Sequence, residues 1–255
     1  MAHPTLAVLE ADLVAYRRTW HGSALSSFVL PLLLVLGFGL GVGGFVDAPG
    51  SLGTARYLDF IVPGMIASTA LQIAFSESTG PIVARFTWLG TYRIMAYAPL
   101  RIVDILAGDL LFVGLRVFST SAVFVAVTAM FGAVRSPWAV LVPLAATLLG
   151  LAVAAPVFGY AALIQTDSYT PLLQRFMVIP MSLFAGVFFP VVLLPTVLRA
   201  LAYCSPLWHA VELCRFATSG TGRLWPAVGH VAYLTGWVVG GFWLAWLSFR
   251  RRLAV

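Results

Sequence analysis

The sequence predicts an all-α integral membrane protein. It has six transmembrane helices, an N-terminal amphipathic surface helix, and a re-entrant helical hairpin between spans five and six. Three observations carry this. Hydrophobic residues make up 61% of the chain and charged residues only 9%, with a mean hydropathy of +0.97; a soluble domain carries about 25% charged residues. Apolar runs recur at the length of about 20 residues that crosses a bilayer. The stretch from Met181 to Gly220 then departs from that pattern. Pro190 and Pro195 interrupt an apolar helix, and the piece after them, Thr196 to Phe216, carries Arg199, Glu212 and Arg215. It is too polar to cross a bilayer and too apolar for a solvated loop. Non-helical backbone at membrane depth survives only where protein or a water-filled cavity covers it. This stretch is therefore expected to line or close a path across the membrane.

Six spans occupy about half of the chain, and short loops take the rest. Residues 1–255 read as one transmembrane domain with no room for a soluble catalytic one. All 15 basic residues are Arg. A P-loop needs its Lys on the phosphates, so the chain cannot hold ATP in that way. The net charge of +6 is spread between spans, which fits orientation by charge bias and not nucleic-acid binding. The two cysteines, Cys204 and Cys214, form a disulfide or remain free thiols. No Cys/His pattern has metal-site spacing, and no cofactor is expected in this chain.

Along the chain, Met1 to Gly22 is not a cleaved signal, because it carries four charges and a long apolar run follows. Leu6, Leu9, Leu13, Tyr16 and Trp20 recur at helical spacing and define one apolar face. Span one, Ser23 to Phe45, holds the small-residue pairs Gly37/Gly41 and Gly39/Gly43, which let helices approach closely in lipid. Span two, Tyr57 to Gly80, carries Asp59 and Glu77. The loop Pro81 to Asp104 is the most basic, with Arg85, Arg93 and Arg101, and predicts a short helix over Thr91 to Tyr97 that stops before Pro99.

Span three, Ile105 to Phe131, carries Asp109 and Arg116. An unpaired charge near the bilayer centre costs about 2.5–3.5 kcal/mol, so Arg116 needs Glu77, Asp109 or water as its partner. Span four, Trp138 to Ile164, has kink candidates at Pro143 and Pro156. Span five covers Phe176 to Leu194 with a kink at Pro180. Span six covers Val228 to Phe249 and contains Gly236 and Gly240. An even span number puts both termini on one side. That side also collects more Arg, so the termini are expected in the cytoplasm and the hairpin, residues 190–220, outside.

Four pieces then resemble a known family: LDFIVPGMIA opening span two, FSEST at Phe75 to Thr79, APL at Ala98 to Leu100, and LFAGVFFP…LP…SPLWHAVELCR from Leu183 to Arg215. Their order and spacing resemble the permease subunit of a type-2 ABC exporter, in the branch of the nodulation-factor and daunorubicin-resistance permeases. The resemblance implies a bacterial cytoplasmic-membrane complex. Its members would be two ATP-binding subunits, which bind ATP and Mg, and a second permease copy or paralogue, all embedded in membrane lipid. It also implies export of an amphipathic drug, glycolipid or lipo-oligosaccharide. The loop residues Arg85, Thr91, Tyr92, Arg93 and Tyr97 would couple to the ATPase, with the N-terminal helix as companion.

Glu77, Arg116, Phe184, Phe188, Phe189 and Trp208 are candidates for the substrate path, although each aromatic also suits plain helix packing. Pro195, His209, Glu212 and Arg215 shape the hairpin. Three other readings remain. One is a proton-coupled secondary transporter using Glu77, Asp59 and Arg116; another is a membrane-embedded enzyme using His209 and Glu212; the third is a non-transporting scaffold, which leaves the acidic and basic residues of spans two and three unexplained.

Overall fold

The computed structural model describes residues 3–18, 57–134, 136–164, 170–220 and 224–253, with isolated positions at 29, 32–33 and 36–37. Span one therefore lies almost wholly outside the described residues, as do Trp20 and Arg135. All regular structure among the described residues is helical.

Helix α1 is Pro4–Tyr16, α2 Tyr57–Ser78, α3 Gly80–Thr87, α4 Thr91–Tyr97 and α5 Ile102–Met130. A 3-10 turn, Pro137–Leu141, leads into α6, Val142–Leu163. Then come α7 (Thr170–Leu173), a π turn (Gln174–Val178) and α8 (Ile179–Phe184). The hairpin follows as a 3-10 turn (Val191–Leu193), α9 (Thr196–Tyr203) and α10 (Pro206–Ser219), and α11 (Leu224–Leu253) closes the described chain.

Among the described residues four helical stretches are long and apolar enough to cross a membrane: Tyr57–Thr87, Ile102–Met130, Pro137–Leu163 and Trp225–Leu253. Their burial ranks them. The apolar window of the first is 83% buried and that of the last 22%, so α2 is the central rod and α11 a peripheral one. Proline placement explains several boundaries. Pro143 sits in the first turn of α6, where its missing N–H costs nothing, and so it opens that helix. Pro180 stands at the start of α8 directly after the π turn. Its ring excludes the carbonyl four residues back, and the ladder widens just before it.

The fifth span differs from expectation. Its helix stops at Phe184, and Gly186 adopts φ +81°, a left-handed geometry that glycine enters without steric cost. The break therefore precedes Pro190, which instead leads into the 3-10 turn. Thr196 to Phe216 is likewise two helices. Cys204 ends the first, and Ser205 caps the second by accepting a hydrogen bond from the Leu207 N–H at 3.2 Å.

The long helices pack through small residues. Helix α11 lies along α6, and a Cβ at Gly241 would come 2.4 Å from Pro156 Cδ. At Gly159 a Cβ would meet the Ala245 backbone at 3.2 Å. Gly236 and Gly240 face open space instead. Gly241→Ala should therefore destabilise the bundle by about 1–3 kcal/mol through overpacking, while Gly240→Ala should be near neutral. Thermal unfolding of the two variants in detergent checks this, and equal melting temperatures would contradict the packing described.

Candidate functional site

The first constellation lies at the end of the bundle where α1, α3, α4 and the start of α5 meet. Asp109 is buried about two turns into α5. Arg85 of α3 donates to its Oδ1 at 2.7 Å, and the Tyr92 hydroxyl of α4 donates to its Oδ2 at 2.7 Å. The second terminal nitrogen of Arg85 donates to Asp12 of α1. Four separate elements thus converge on one guanidinium and one carboxylate. Burial and the neighbouring Asp109 carboxylate hold the Tyr92 hydroxyl well above its ordinary pKa, so it stays a donor.

Helix α4 is consequently fixed from inside. Tyr92 is fully buried, and its ring meets Phe86 and Phe249 at 4.5 and 5.2 Å between centroids. The other face of α4 is open: Arg93, Ile94 and Tyr97 are exposed, as are Trp88 and Leu89 just before it. Of the five predicted coupling residues, Arg85 and Tyr92 anchor the helix, Arg93 and Tyr97 face outward, and Thr91 is half-buried at its start.

Helix α1 is docked by its polar positions. Val8 packs on Gly108, where a Cβ would sit 2.6 Å away, and Thr5 donates to Asp104 at 3.2 Å. The packed face is therefore Thr5, Val8 and Asp12; Leu6 and Leu13 of the predicted apolar face remain exposed. Arg116 pairs with Glu77 at 3.3 Å and donates to the Tyr16 hydroxyl at 2.6 Å. Of the three partners considered for Arg116, Glu77 is the one in place; Asp109 is committed to Arg85. Sequence reasoning missed Asp12 and the polar role of Tyr16. Asp12 breaks the apolar periodicity of α1, and that was the available signal.

The second constellation is the hairpin. Residues 185–187 are non-helical and buried. Arg215 of α10 caps the Gly186 carbonyl, pairs with Glu212 at 3.0 Å, and lies over the Phe60 ring at 4.1 Å. Gly64 of α2 abuts this segment so closely that a Cβ would fall 2.8 Å from Val187 Cα. Phe184, Phe189 and Trp208 pack around a small core of Val191, Leu194 and Ala202, while Phe188 packs on the main core. The predicted path residues are thus not assembled together: Glu77 and Arg116 lie near α1, and the aromatics lie at the opposite end. Pro195 precedes α9 as its N-cap residue.

His209 does not engage Glu212. Its Nδ1 lies 2.7 Å from His230 Nδ1 on α11, its Nε2 lies 3.0 Å from the Tyr203 carbonyl, and its ring stacks on Tyr233 at 3.8 Å. Desolvation first, and the facing His230 second, lower the His209 pKa. Cys204 is exposed and Cys214 buried, both as free thiols; burial pushes the Cys214 thiol up to about 12. No group of three His, Cys, Asp or Glu side chains suited to a metal occurs among the described residues.

The profile described as "ABC-2 type transporter" matches residues 4–218, a range that includes both constellations. The chain belongs to the ABC-2 type transporter family. Full-length relatives agree. Nodulation protein J of Rhizobium leguminosarum bv. trifolii is 30% identical over 254 residues, covering 97% of this chain and 93% of that protein. Nodulation protein J of Neorhizobium galegae is 28% identical with the same coverage. The Bradyrhizobium diazoefficiens protein of that name is 27% identical, covering 99% and 95%. This ABC-2 permease is a multi-pass transmembrane subunit of an exporter and not itself the ATPase.

Two outcomes follow. Arg85→Ala strands two buried carboxylates and should cost about 3–5 kcal/mol, whereas Tyr92→Phe should cost about 1–3 kcal/mol; melting temperatures in detergent rank them. The His209 contact should weaken in acid. A lowered histidine pKa means its stabilising contribution is complete above the unfolded value of about 6.5 and is lost as pH falls through the lower folded value. Hydrogen exchange at α9 and α10 should therefore rise at pH 5, and His209→Gln should flatten that response. His230, Glu212, Tyr233 and the Tyr203 carbonyl are the groups that face this site, and an unchanged response in the variant would rule out His209 as the titrating group.

Proposed function

We propose that the chain is the membrane-spanning half of an ATP-driven export complex in the bacterial cytoplasmic membrane. The complex moves an amphipathic drug, glycolipid or lipo-oligosaccharide outward. Two copies of a separate subunit bind ATP and Mg and hydrolyse the nucleotide, and a second permease copy or paralogue completes the pathway. Both termini, α1 and α4 face the cytoplasm; the hairpin caps the outer side.

The observation that carries this reading is the two-sided character of α4. Its inner face is held by Tyr92, Asp109 and Arg85, and its outer face presents Arg93, Ile94 and Tyr97. A short helix clamped to the bundle, with a free side that mixes Arg93 with the apolar Ile94 and Tyr97, is what a lever needs. It must move with the bundle and still be gripped by another protein. The relatives are named nodulation protein J, which agrees with the nodulation-factor branch of the resemblance.

Closure of the ATPases would push α4, and the clamp would pass that displacement to α5 and α2 as a rigid-body shift. The seam between permease copies would then alternate between inward and outward access. Arg93→Glu and Tyr97→Ala should leave the fold intact, because both side chains are exposed. Each should lower transport per ATP hydrolysed in the reconstituted complex by about tenfold, the loss of about 1.4 kcal/mol at a contact. Unchanged coupling in both variants would remove α4 from this role.

A further inference from the structure

A cleft of about 480 Å³ opens beside the clamp and is not used by it. Arg93 of α4, Arg251 and Arg252 of α11, and Ser248 supply its polar wall, with Phe86 and Leu163 among its apolar lining. No carboxylate is among its described lining residues. Three guanidiniums around one concavity, with no acid to neutralise them, repel one another unless an anion enters.

Arg252 shows that the site is organised in advance. One terminal nitrogen donates to the carbonyls of Ala161, Ala162 and Ile164 at 3.3, 2.7 and 2.8 Å, and the guanidinium lies 4.4 Å from the centroid of the Phe86 ring. Among the described residues its Nη2 and Nε make no hydrogen bond, and a guanidinium offers a planar fork suited to phosphate oxygens. Thr87 Oγ1 gives its proton to the Val83 carbonyl at 2.8 Å, so the donors for an anion are the arginines and Ser248.

Depth identifies the anion. The helical stretches Tyr57–Thr87, Pro137–Leu163 and Trp225–Leu253 all end at this cleft. It therefore lies where hydrocarbon gives way to headgroups. A basic pocket between helix ends at that level matches the chemistry of an anionic lipid phosphate.

We propose that this cleft binds the phosphate of an anionic phospholipid headgroup, with Arg251, Arg252 and Ser248 as the recognising donors and the acyl chains leaving past the exposed Leu163. The bound lipid would fill the space between α4 and the ends of α6 and α11, and so would brace the lever from the side opposite Asp109. The inference rests on the membrane embedding of the chain and not on the export reading.

The test uses the full chain purified in mild detergent and examined by native mass spectrometry, with phosphatidylglycerol, phosphatidylcholine and inorganic phosphate as separate probes. Phosphatidylglycerol should be retained about tenfold more than phosphatidylcholine, and the preference should shrink with added salt as exposed charge pairs are screened. Arg251→Gln combined with Ser248→Ala should abolish the preference without changing the melting temperature of lipid-free protein. Arg250→Gln, whose guanidinium lies over Trp246, should retain it. Equal retention of the two lipids by wild type, or an unaltered preference in the double variant, would overturn the proposal. Stabilisation by inorganic phosphate alone with no lipid preference would assign the cleft to a soluble phosphate and overturn the lipid. Protection of Arg251 only when the ATP-binding subunit is added would make it a protein contact instead.

Discussion

One guanidinium holds the working end of this permease together. Arg85 bridges Asp12 and Asp109, and through Asp109 and Tyr92 it fixes a seven-residue helix that could not persist alone. The interaction is costly in principle, since buried charges lose their hydration and repay it only with good geometry and further hydrogen bonds. Here the pairing is one cation to two carboxylates, with Tyr92 satisfying a further oxygen. The reason for a polar clamp is environmental. Helices in lipid gain nothing from hydrophobic burial against one another, because lipid tails are as apolar as their side chains. Helices α1 and α4 flank the spans without being spans themselves, so directional contacts rather than apolar area must define where they sit.

The spanning helices use the complementary device. Gly159, Gly241 and Ala245 let α6 and α11 approach to backbone contact, and Gly64 does the same for α2 against Val187. Each close approach converts a missing side chain into dispersion contact, which survives in lipid where the hydrophobic effect does not. The Gly64 contact also solves a polar problem. The backbone at 185–187 is not helical, and it is tolerated in the protein interior because α2 covers it and Arg215 takes the Gly186 carbonyl. Arg215 is therefore part of the backbone's hydrogen-bond accounting rather than a stray charge.

The sequence made the four long helices legible because hydropathy and length are local signals, and the short helix expected over Thr91 to Tyr97 before Pro99 is α4. What escaped was set by tertiary contact. The apolar periodicity of α1 identified a real stripe, but the bundle took the adjacent one, Thr5, Val8 and Asp12, because Gly108 offers a groove to Val8 and Arg85 holds Asp12. Tyr16 of the apolar stripe also reaches the bundle, at Arg116, while Leu6 and Leu13 stay exposed. The break after span five was assigned to the prolines, the stronger visible punctuation, whereas Gly186 makes it. Arg116 had three candidate partners, and only the register between α2 and α5 chooses Glu77. His209 was read beside Glu212, its neighbour on the same helix, and its partner stands 21 residues on, across a helix boundary.

These separate contacts share one element. Helix α2 carries Phe60 beneath Arg215 and Gly64 against Val187 near one end, and Glu77 against Arg116 at the other, where it runs on into α3 and Arg85. From Phe60 to Glu77 is 17 residues, about 26 Å at the helical rise. A displacement of α4 would enter the bundle through Asp109 of α5 and through Arg85, which lies on the same continuous apolar stretch as α2. The hairpin hangs from the far end of that stretch by contacts too close to slide independently. A buried rod gripped at both ends transmits motion only if the ends have a second arrangement available. At the hairpin end the helix is already broken at Gly186, and Arg215 holds one carbonyl. At the clamp end Asp12 keeps an oxygen, Oδ2, that has no hydrogen-bond partner among the described residues. The rod is continuous helix between two polar contacts, so any second arrangement would have to form at those contacts rather than along its length.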